Sequence, residues 1–203
     1  MSGLAADLAA LAAAVTGRFV LGIAGAPASG KSTLAENLVR AVSGAALLPM
    51  DGFHLDDALL TERGHRNRKG APHTFDVEGF SAALRRVRDG EAVYVPRFDR
   101  GLELARAGSI HISAEVRVIV VEGNYLLHDT GGWEAIQPLL HACWYLDVPS
   151  DELDRRLLAR WTAYGKDPNE ARRWIDGNDI PNAQIVARGR IRADRVLGPD
   201  DPI

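Results

Sequence analysis

The stretch that begins at residue 25 reads Gly25-Ala26-Pro27-Ala28-Ser29-Gly30-Lys31-Ser32. It follows an apolar run over residues 18–24, which predicts a buried parallel strand. Residues 31–42 come next, and their apolar side chains recur at the spacing of one helix face. The glycines of the stretch therefore lie in a turn between a strand and a helix, where a missing Cβ atom permits a tight backbone.

This strand–turn–helix unit carries the pattern G-x-x-x-x-G-K-[ST], in which the turn wraps around a phosphate group. Backbone N–H groups and the positive N-terminal end of the helix point at the anion. Lys31 can reach the terminal phosphates of a nucleotide, and the Ser32 hydroxyl can bind Mg²⁺. A chance match in a chain rich in glycine and alanine is the alternative, which the flanking strand and helix disfavour. We therefore expect ATP and Mg²⁺ as cofactors, with ATP contacts from Gly25, Ala26, Pro27, Ala28, Ser29, Gly30, Lys31, Ser32 and Thr33.

Strand-like and helix-like segments alternate along the rest of the chain, which predicts an α/β fold with a mainly parallel sheet. Together with the phosphate-binding turn, this pattern predicts the three-layer fold of P-loop NTPases in one domain over residues 1–203. Ligands of such sheets bind at the carboxyl ends of the strands. We predict strands over residues 18–24, 45–50, 93–95, 116–121, 143–146 and 195–197, and helices over residues 2–15, 31–42, 76–88, 150–163 and 167–177.

The composition, 46% hydrophobic and 25% charged, is that of an ordinary globular protein. The net charge of −3 argues against general nucleic-acid or membrane-surface binding, so we expect neither partner. No run approaches the ~18 apolar residues of a membrane span, and the N-terminus lacks the basic region of a signal peptide. The single cysteine, Cys143, lies in an apolar run and fits a buried strand residue in a reducing cytoplasm. The frequency of symmetric oligomers favours a homodimer.

Two carboxylates follow predicted strands and should face the ligand-binding edge of the sheet. Asp51 ends the second strand. It could take or orient the proton of an acceptor hydroxyl; the alternative is that it caps a turn. Glu122 follows the fully apolar run over residues 118–121. An acid in that position of a P-loop protein serves Mg²⁺, directly or through water, and a solvated strand end is the alternative.

Basic residues cluster in the irregular segment after the second strand and on a late helix. Arg68 and Lys69 of the first cluster either reach an anionic group of a ligand or belong to a solvated loop. Arg160 lies nearest the polar turn after the late helix, where it could close over a transferred phosphate or belong to a charged outer face. His54, three residues after Asp51, is the histidine that we expect in a substrate pocket. We expect the tryptophans in the core rather than as stacking platforms: Trp133, Trp144, Trp161 and Trp174.

With these residues the chain resembles the phosphoribulokinase/uridine kinase family, which includes the bacterial type I pantothenate kinases. The resemblance covers about residues 18–197, and a bacterial subgroup labelled as fructose-transport-system kinases is similar as well. The family resemblance implies that Asp51 is the catalytic base. Four segments carry it: Gly25–Ser32, Met50-Asp51-Gly52-Phe53-His54, Arg68-Lys69-Gly70-Ala71-Pro72-His73-Thr74-Phe75-Asp76 and Val121-Glu122-Gly123-Asn124-Tyr125-Leu126.

The resemblance also implies a helical lid and an acceptor site. The lid would span residues 155–182, with Arg160 as the arginine that contacts the phosphate. Arg97 and Asp99 would line the acceptor site, beside His54, Arg68 and Lys69. We expect Tyr125, from the last of the four segments, to lie there too.

We therefore predict an ATP-dependent phosphotransferase that uses an alcohol group of a small molecule as acceptor: a sugar, a pantothenate-like acid or a nucleoside. A nucleotide-dependent switch or chaperone is the first rival. Its D-x-x-G pattern occurs at residues 76–79, but at a predicted helix start, and its N-K-x-D pattern is absent from the sequence. A catalytically inactive nucleotide-binding regulator is the second rival, which the intact Lys31, Ser32, Asp51 and Glu122 disfavour.

Overall fold

A five-stranded parallel sheet forms the centre of the structure, which the computed structural model describes over residues 3–201. Over these residues the strands are β1 (Phe19–Gly25), β2 (Ala45–Pro49), β3 (Val93–Asp99), β4 (Leu104–Ile112), β5 (Val118–Gly123), β6 (Ala142–Leu146) and β7 (Arg195–Leu197). Their order across the sheet is β2-β5-β1-β6-β7, so β1 lies in the middle. Every residue of β1 and β5 is buried. Apart from Glu122 near the end of β5, both strands are apolar because helices cover both faces of the sheet.

These helices complete three layers. They are α1 (Leu4–Ala13), α2 (Lys31–Ala41), α3 (Asp57–Glu62), α4 (Val77–Arg88), α5 (Ser150–Ala163), α6 (Pro168–Trp174) and α7 (Ile180–Arg188). One hydrophobic cluster joins the sheet to α1 and α2, and a second joins its other face to α4 and α7. Strand β1 alternates between them, with Phe19, Leu21 and Ile23 in the first cluster and Val20 and Ala24 in the second. The predicted three-layer α/β fold is thereby confirmed.

Most of the predicted segment boundaries agree with the structure. Helix α5 and strand β7 occupy the predicted residues. Asp167 caps α6 as predicted, since its Oδ1 accepts hydrogen bonds from the backbone N–H groups of Asn169 and Glu170, both at 3.0 Å. Helix α1 is shorter than the helix predicted over residues 2–15, and residue 2 lies outside the described residues.

Burial tests several expectations about side chains. Cys143 is buried in β6 as expected, and burial raises the pKa of its thiol well above the usual range. Trp133 and Trp144 are buried core residues, whereas Trp161 and Trp174 are only partly buried, so the core assignment of that pair is wrong. Across residues 3–201, none of the helices combines the length and the apolar character that a bilayer crossing requires.

Strands β3 and β4 form an antiparallel hairpin outside the parallel sheet. The sequence predicts only residues 93–95 of it. Most β4 side chains are exposed, so this strand lacks the apolar alternation of a half-buried strand. The register shifts between Val95 and Arg97, where Pro96 cannot donate a hydrogen bond to the neighbouring strand. Because of this break, the sequence pattern does not predict that β3 continues beyond Val95.

The segment after α6 also differs from the prediction. Gly177 does not end the helix, so that prediction is wrong: the chain continues through a π-helical turn over Ile175–Asp179 directly into α7. The Asn178 side chain donates a hydrogen bond to the carbonyl oxygen of Lys69 at 2.8 Å, which ties the turn to another part of the chain. Such turns frequently occur at functional sites.

Candidate active site

The phosphate-binding loop joins the end of β1 to the start of α2. Two of its residues have positive φ angles, Ala28 at 63° and Gly30 at 96°. Glycine adopts this conformation easily, whereas a positive φ at alanine is uncommon and occurs where the surroundings enforce it, often at functional sites. Gly25 is required for another reason, because a Cβ atom there would lie 2.7 Å from Oγ of Ser29. The loop thus has the tight backbone that the sequence pattern predicts.

Lys31 and Ser32 form the first turn of α2, beside the end of β5. The sheet register places Glu122 opposite Ile23 of β1 and Pro49 of β2. From there, Oε2 of Glu122 accepts a hydrogen bond from Oγ of Ser32 at 3.0 Å. Burial raises the pKa of Glu122 against the effect of the Lys31 charge, and burial lowers the pKa of Lys31. The carboxylate and hydroxyl oxygens are the hard donors that Mg²⁺ prefers.

Asp51 lies in a 3₁₀ turn over Met50–Phe53 that directly follows β2. Gly52 lets this turn approach the hairpin, because a Cβ atom there would clash with the carbonyl oxygen of Pro96. Oδ2 of Asp51 pairs with the guanidinium of Arg100. Burial tends to raise the pKa of Asp51, but the charge of Arg100 and of three further basic side chains outweighs it and lowers the pKa to about 2. Asp51 is therefore ionised at neutral pH.

His54 follows the same turn and lines the cavity beside Asp51. Its Nδ1 atom donates a hydrogen bond to the carbonyl oxygen of Asp51 at 2.8 Å, which fixes the tautomer because a carbonyl can only accept. The ring packs against Phe75 and Phe98, with centroids 4.0 and 4.7 Å away. Burial lowers the pKa of His54 despite the nearby Asp51. The ring is thus neutral near pH 7, and Nε2 is an acceptor.

Two cations lie over the ring of Phe98 in β3: Arg100 from the hairpin turn and Lys69 from the irregular segment before α4. The guanidinium carbon of Arg100 and Nζ of Lys69 each lie 5.1 Å from the ring centroid. Lys69 is buried and donates to Oδ1 of Asp57 at 2.5 Å and to the carbonyl oxygen of Glu103 at 2.8 Å. Sequence reasoning does not single out Arg100, because its partner, Asp51, lies 49 positions away and nothing in the local pattern marks it.

Helices α5 and α6 and the turn between them contribute the lid side of the site. The guanidinium carbon of Arg160 lies 5.8 Å from the ring centroids of Trp161 and of Tyr164. Nζ of Lys166 lies 5.4 Å from Trp161 and 5.5 Å from Trp174. Sequence reasoning identifies Arg160 here but leaves out the aromatic residues and the lysine, whose roles depend on how the two helices meet.

One cavity of about 630 Å³ is lined by residues from the loop, the hairpin and the lid. It contains these residues that the sequence predicts for the site: Pro27, Ala28, Gly30, Lys31, Ser32, Thr33, Asp51, His54, Lys69 and Arg160. It also contains residues that sequence reasoning does not predict, among them Arg66, Arg100, Trp161, Tyr164, Lys166 and Trp174. Gly25, Ala26, Ser29 and Glu122 are buried and do not form part of its wall.

Arg68 and Tyr125, expected at the acceptor site, are not in the cavity wall. Arg68 donates to the carbonyl oxygen of Gly177 and to Oδ1 of Asn182, so it joins the irregular segment to the lid. Tyr125 is buried, and its hydroxyl donates to the carbonyl oxygen of Gly70 at 2.6 Å. Both side chains support the wall of the site from outside it.

Arg97 and Asp99, which the resemblance implies for the acceptor site, are not in the cavity wall either. Arg97 is exposed on β3. Oδ1 of Asp99 accepts hydrogen bonds from the backbone N–H groups of Gly101 and Leu102 in the hairpin turn, and Arg106 approaches its Oδ2. The backbone N–H of Leu102 contributes most to the lowered pKa of Asp99. Asp99 therefore shapes the turn from which Arg100 extends.

Comparison with known proteins gives a consistent set of relatives, although no family model matches the chain. A crystal structure of a candidate fructose transport system kinase from Silicibacter sp. TM1040 is 39% identical and has a TM-score of 0.89, covering 97% of this chain and 100% of that one. The candidate uridine kinase C227.14 of Schizosaccharomyces pombe is 31% identical over 89% of this chain and 83% of its own length. The ATP-dependent kinase YFH7 of Zygosaccharomyces rouxii is 23% identical over 75% of this chain and 50% of its own.

Proposed function

This chain belongs to the phosphoribulokinase/uridine kinase-like P-loop kinases and is an ATP-dependent kinase, and from that premise we propose that it transfers the γ-phosphoryl group of ATP to a hydroxyl group of a small metabolite. One observation carries the proposal: the Asp51 carboxylate lines the same cavity as the phosphate-binding loop. A carboxylate in that position can orient an acceptor hydroxyl toward the terminal phosphate.

Asp51 acts through its free carboxylate oxygen. Oδ2 pairs with Arg100, while Oδ1 has no hydrogen-bond partner within residues 3–201. Oδ1 accepts a hydrogen bond from the acceptor hydroxyl and aligns its oxygen for in-line attack. The hydroxyl proton passes to this oxygen as the new O–P bond forms and the bond to ADP breaks. Because a carboxylate with a pKa of about 2 is a weak base, orientation comes first and proton transfer late.

The remaining groups bind and neutralise the phosphates. Lys31 and the backbone N–H groups of the loop hold the phosphate chain. Ser32 and Glu122 would hold Mg²⁺, a role supported by their contact at 3.0 Å and by the burial of Glu122. When bound, Mg²⁺ neutralises charge on the β- and γ-phosphate oxygens. Arg160 compensates the charge of the transferred group, and the lid excludes water that would otherwise hydrolyse ATP.

The acceptor belongs to one of three classes: a sugar, a pantothenate-like acid or a nucleoside. Its reacting hydroxyl lies at Oδ1 of Asp51. A second donor group of the acceptor can bind Nε2 of His54, which the contact of Nδ1 with a carbonyl leaves as an acceptor. Sugars and nucleosides carry such neighbouring hydroxyl groups, so both are included in the first acceptor panel.

The proposal is tested by a screen for acceptor-stimulated ADP release, with the phosphorylated product identified by mass spectrometry. Replacing Asp51 with asparagine should lower turnover about 100-fold or more, while the Kd of a non-hydrolysable ATP analogue stays within about twofold. Asp89→Asn, on the exposed end of α4, is the matched control. Unchanged turnover in Asp51→Asn would remove this residue from the mechanism.

ADP release that is equal with and without every acceptor would favour the nucleotide-dependent switch instead. The structure gives the D-x-x-G pattern of that rival another role. Asp76 is the N-cap of α4, and its Oδ1 accepts a hydrogen bond from the backbone N–H of Gly79 at 2.8 Å. The pattern therefore matches a capped helix start.

A further inference from the structure

The basic residues that line the cavity fall into two groups according to their partners. Arg66, Lys69 and Arg100, which lie toward the hairpin, each form an ion pair with a carboxylate. Within residues 3–201, Lys31, Arg160 and Lys166 form no ion pair, although all three line the same cavity. A phosphate chain that binds Mg²⁺ retains negative charge, so unpaired cations are the ones suited to it.

Lys166 is the member of the unpaired group that the proposed mechanism does not use. Its ammonium lies beside the indole pair, Trp161 and Trp174, at 5.4 and 5.5 Å from ring centroids that are 5.7 Å apart with an interplanar angle of 67°. Its backbone N–H donates to the carbonyl oxygen of Trp161 at 3.1 Å, which closes the turn after α5. A cation–π contact holds the ammonium weakly, so a charge-assisted hydrogen bond to phosphate can replace it.

Polar contacts to neighbouring segments hold the indole pair in place. Nε1 of Trp161 donates to Oδ2 of Asp179 in the π-helical turn at 2.7 Å. Trp174 lies on α6, which is joined to α5 by two hydrogen bonds from Arg172 to the carboxylate of Asp154, at 2.7 and 3.0 Å. Lys166 therefore lies in a turn between two helices that are joined to each other, and it lines the cavity.

We propose that Lys166 is a further catalytic residue, which binds the terminal phosphate of ATP and stabilises the charge of the phosphoryl group during transfer. This inference rests on the proposed function. In the step, the acceptor oxygen forms a bond to the γ-phosphorus, the bond from that phosphorus to the β-γ bridging oxygen breaks, and ADP leaves with the electron pair. Lys166 moves no proton and contributes through charge alone.

The test compares two nucleotides and needs no acceptor. The Kd values of ADP and of a non-hydrolysable ATP analogue, both with Mg²⁺, are measured by calorimetry on the full chain. Lys166→Gln should weaken binding of the analogue about tenfold and of ADP less than about twofold, because only the analogue carries the terminal phosphate. Lys166→Arg, which keeps the charge, should retain most of the affinity for the analogue.

Arg173→Gln is the control, since Arg173 is an exposed cation of α6 outside the cavity wall. It should leave both Kd values unchanged. Equal weakening of both nucleotides by Lys166→Gln, or no weakening of either, would overturn the inference. Failure of the acceptor screen would instead count against the proposed function. The Kd measurements are independent of that outcome, because they involve the nucleotide alone. A thermal unfolding scan of each variant separates loss of binding from loss of the fold.

Discussion

Arg100 forms an ion pair with Asp51 across 49 positions of the sequence, and so joins the tip of the β3–β4 hairpin to the end of β2. This contact engages one oxygen of the Asp51 carboxylate, while the other has no hydrogen-bond partner among residues 3–201. It is also the largest of the charge effects that keep the pKa of Asp51 low against the effect of burial. The hairpin, an addition to the parallel sheet, thereby contributes through Arg100 to the low pKa of the acid.

Replacing Arg100 with methionine should move the acid limb of the pH–rate profile to higher pH. Burial raises the pKa of Asp51, and Arg100 does most to lower it to about 2. Without Arg100 the pKa rises, so the ionised form is lost at a higher pH as acid is added. A profile of kcat/KM for an identified acceptor checks this, with Arg106→Met on the same hairpin as control. Coincident acid limbs in the variant and the unmodified enzyme would contradict it.

Replacing Glu122 with glutamine should raise the Mg²⁺ concentration needed for half-maximal binding of an ATP analogue by about tenfold or more. The change removes the carboxylate charge next to Ser32 while it preserves the shape of the side chain. A magnesium titration at fixed analogue concentration measures the effect. Glu36→Gln, on the exposed face of α2, should leave the midpoint in place. A midpoint that Glu122→Gln does not shift would exclude this residue from the metal site.

Substituting alanine for two glycines should have opposite effects on stability. A Cβ atom at Gly52 would clash with the backbone carbonyl of Pro96, so Gly52→Ala should lower the free energy of unfolding by about 1–3 kcal/mol. A Cβ atom at Gly177 meets no atom within 4 Å, so Gly177→Ala should raise it by about 0.5–1 kcal/mol. Urea unfolding midpoints measure both effects. Equal midpoints would show that the hairpin can move away from the Asp51 turn.

Replacing Arg18 with methionine should lower the free energy of unfolding by about 3 kcal/mol. The buried guanidinium donates to four backbone carbonyl groups, which belong to Val87, Glu91, Ser113 and Val116. The variant removes the guanidinium donors from all four carbonyls, although Val87 and Ser113 still accept from the backbone N–H groups of Gly90 and Val116. Lysine cannot replace the planar array of donors that arginine carries. Chemical denaturation checks the value, with the exposed Arg40→Met expected to change it by less than about 0.5 kcal/mol. A loss as small as that of the control would show that water satisfies these carbonyls.

Secondary structure is predicted well where one local signal decides it. The buried strands β1 and β5 are apolar runs, and Asp167 is a recognisable cap, so these features follow from neighbouring residues alone. The prediction is wrong at Gly177, because contacts from outside the helix hold the chain in a π-helical turn. It is incomplete at β4, because an exposed strand carries no periodic apolar signal.

The sequence by itself determined the phosphate-binding loop and the parallel sheet behind it, because each of these depends on contiguous residues and on the pattern of burial. Only the tertiary structure decided which cations line the cavity and which of them are paired with carboxylates. It pairs Arg100 with Asp51, engages Asp99 with the backbone of the hairpin turn and places Lys166 beside two indole rings. The physical reason is that the electrostatic environment of a charged side chain depends on its neighbours in space, and here those neighbours belong to segments that are distant in the sequence.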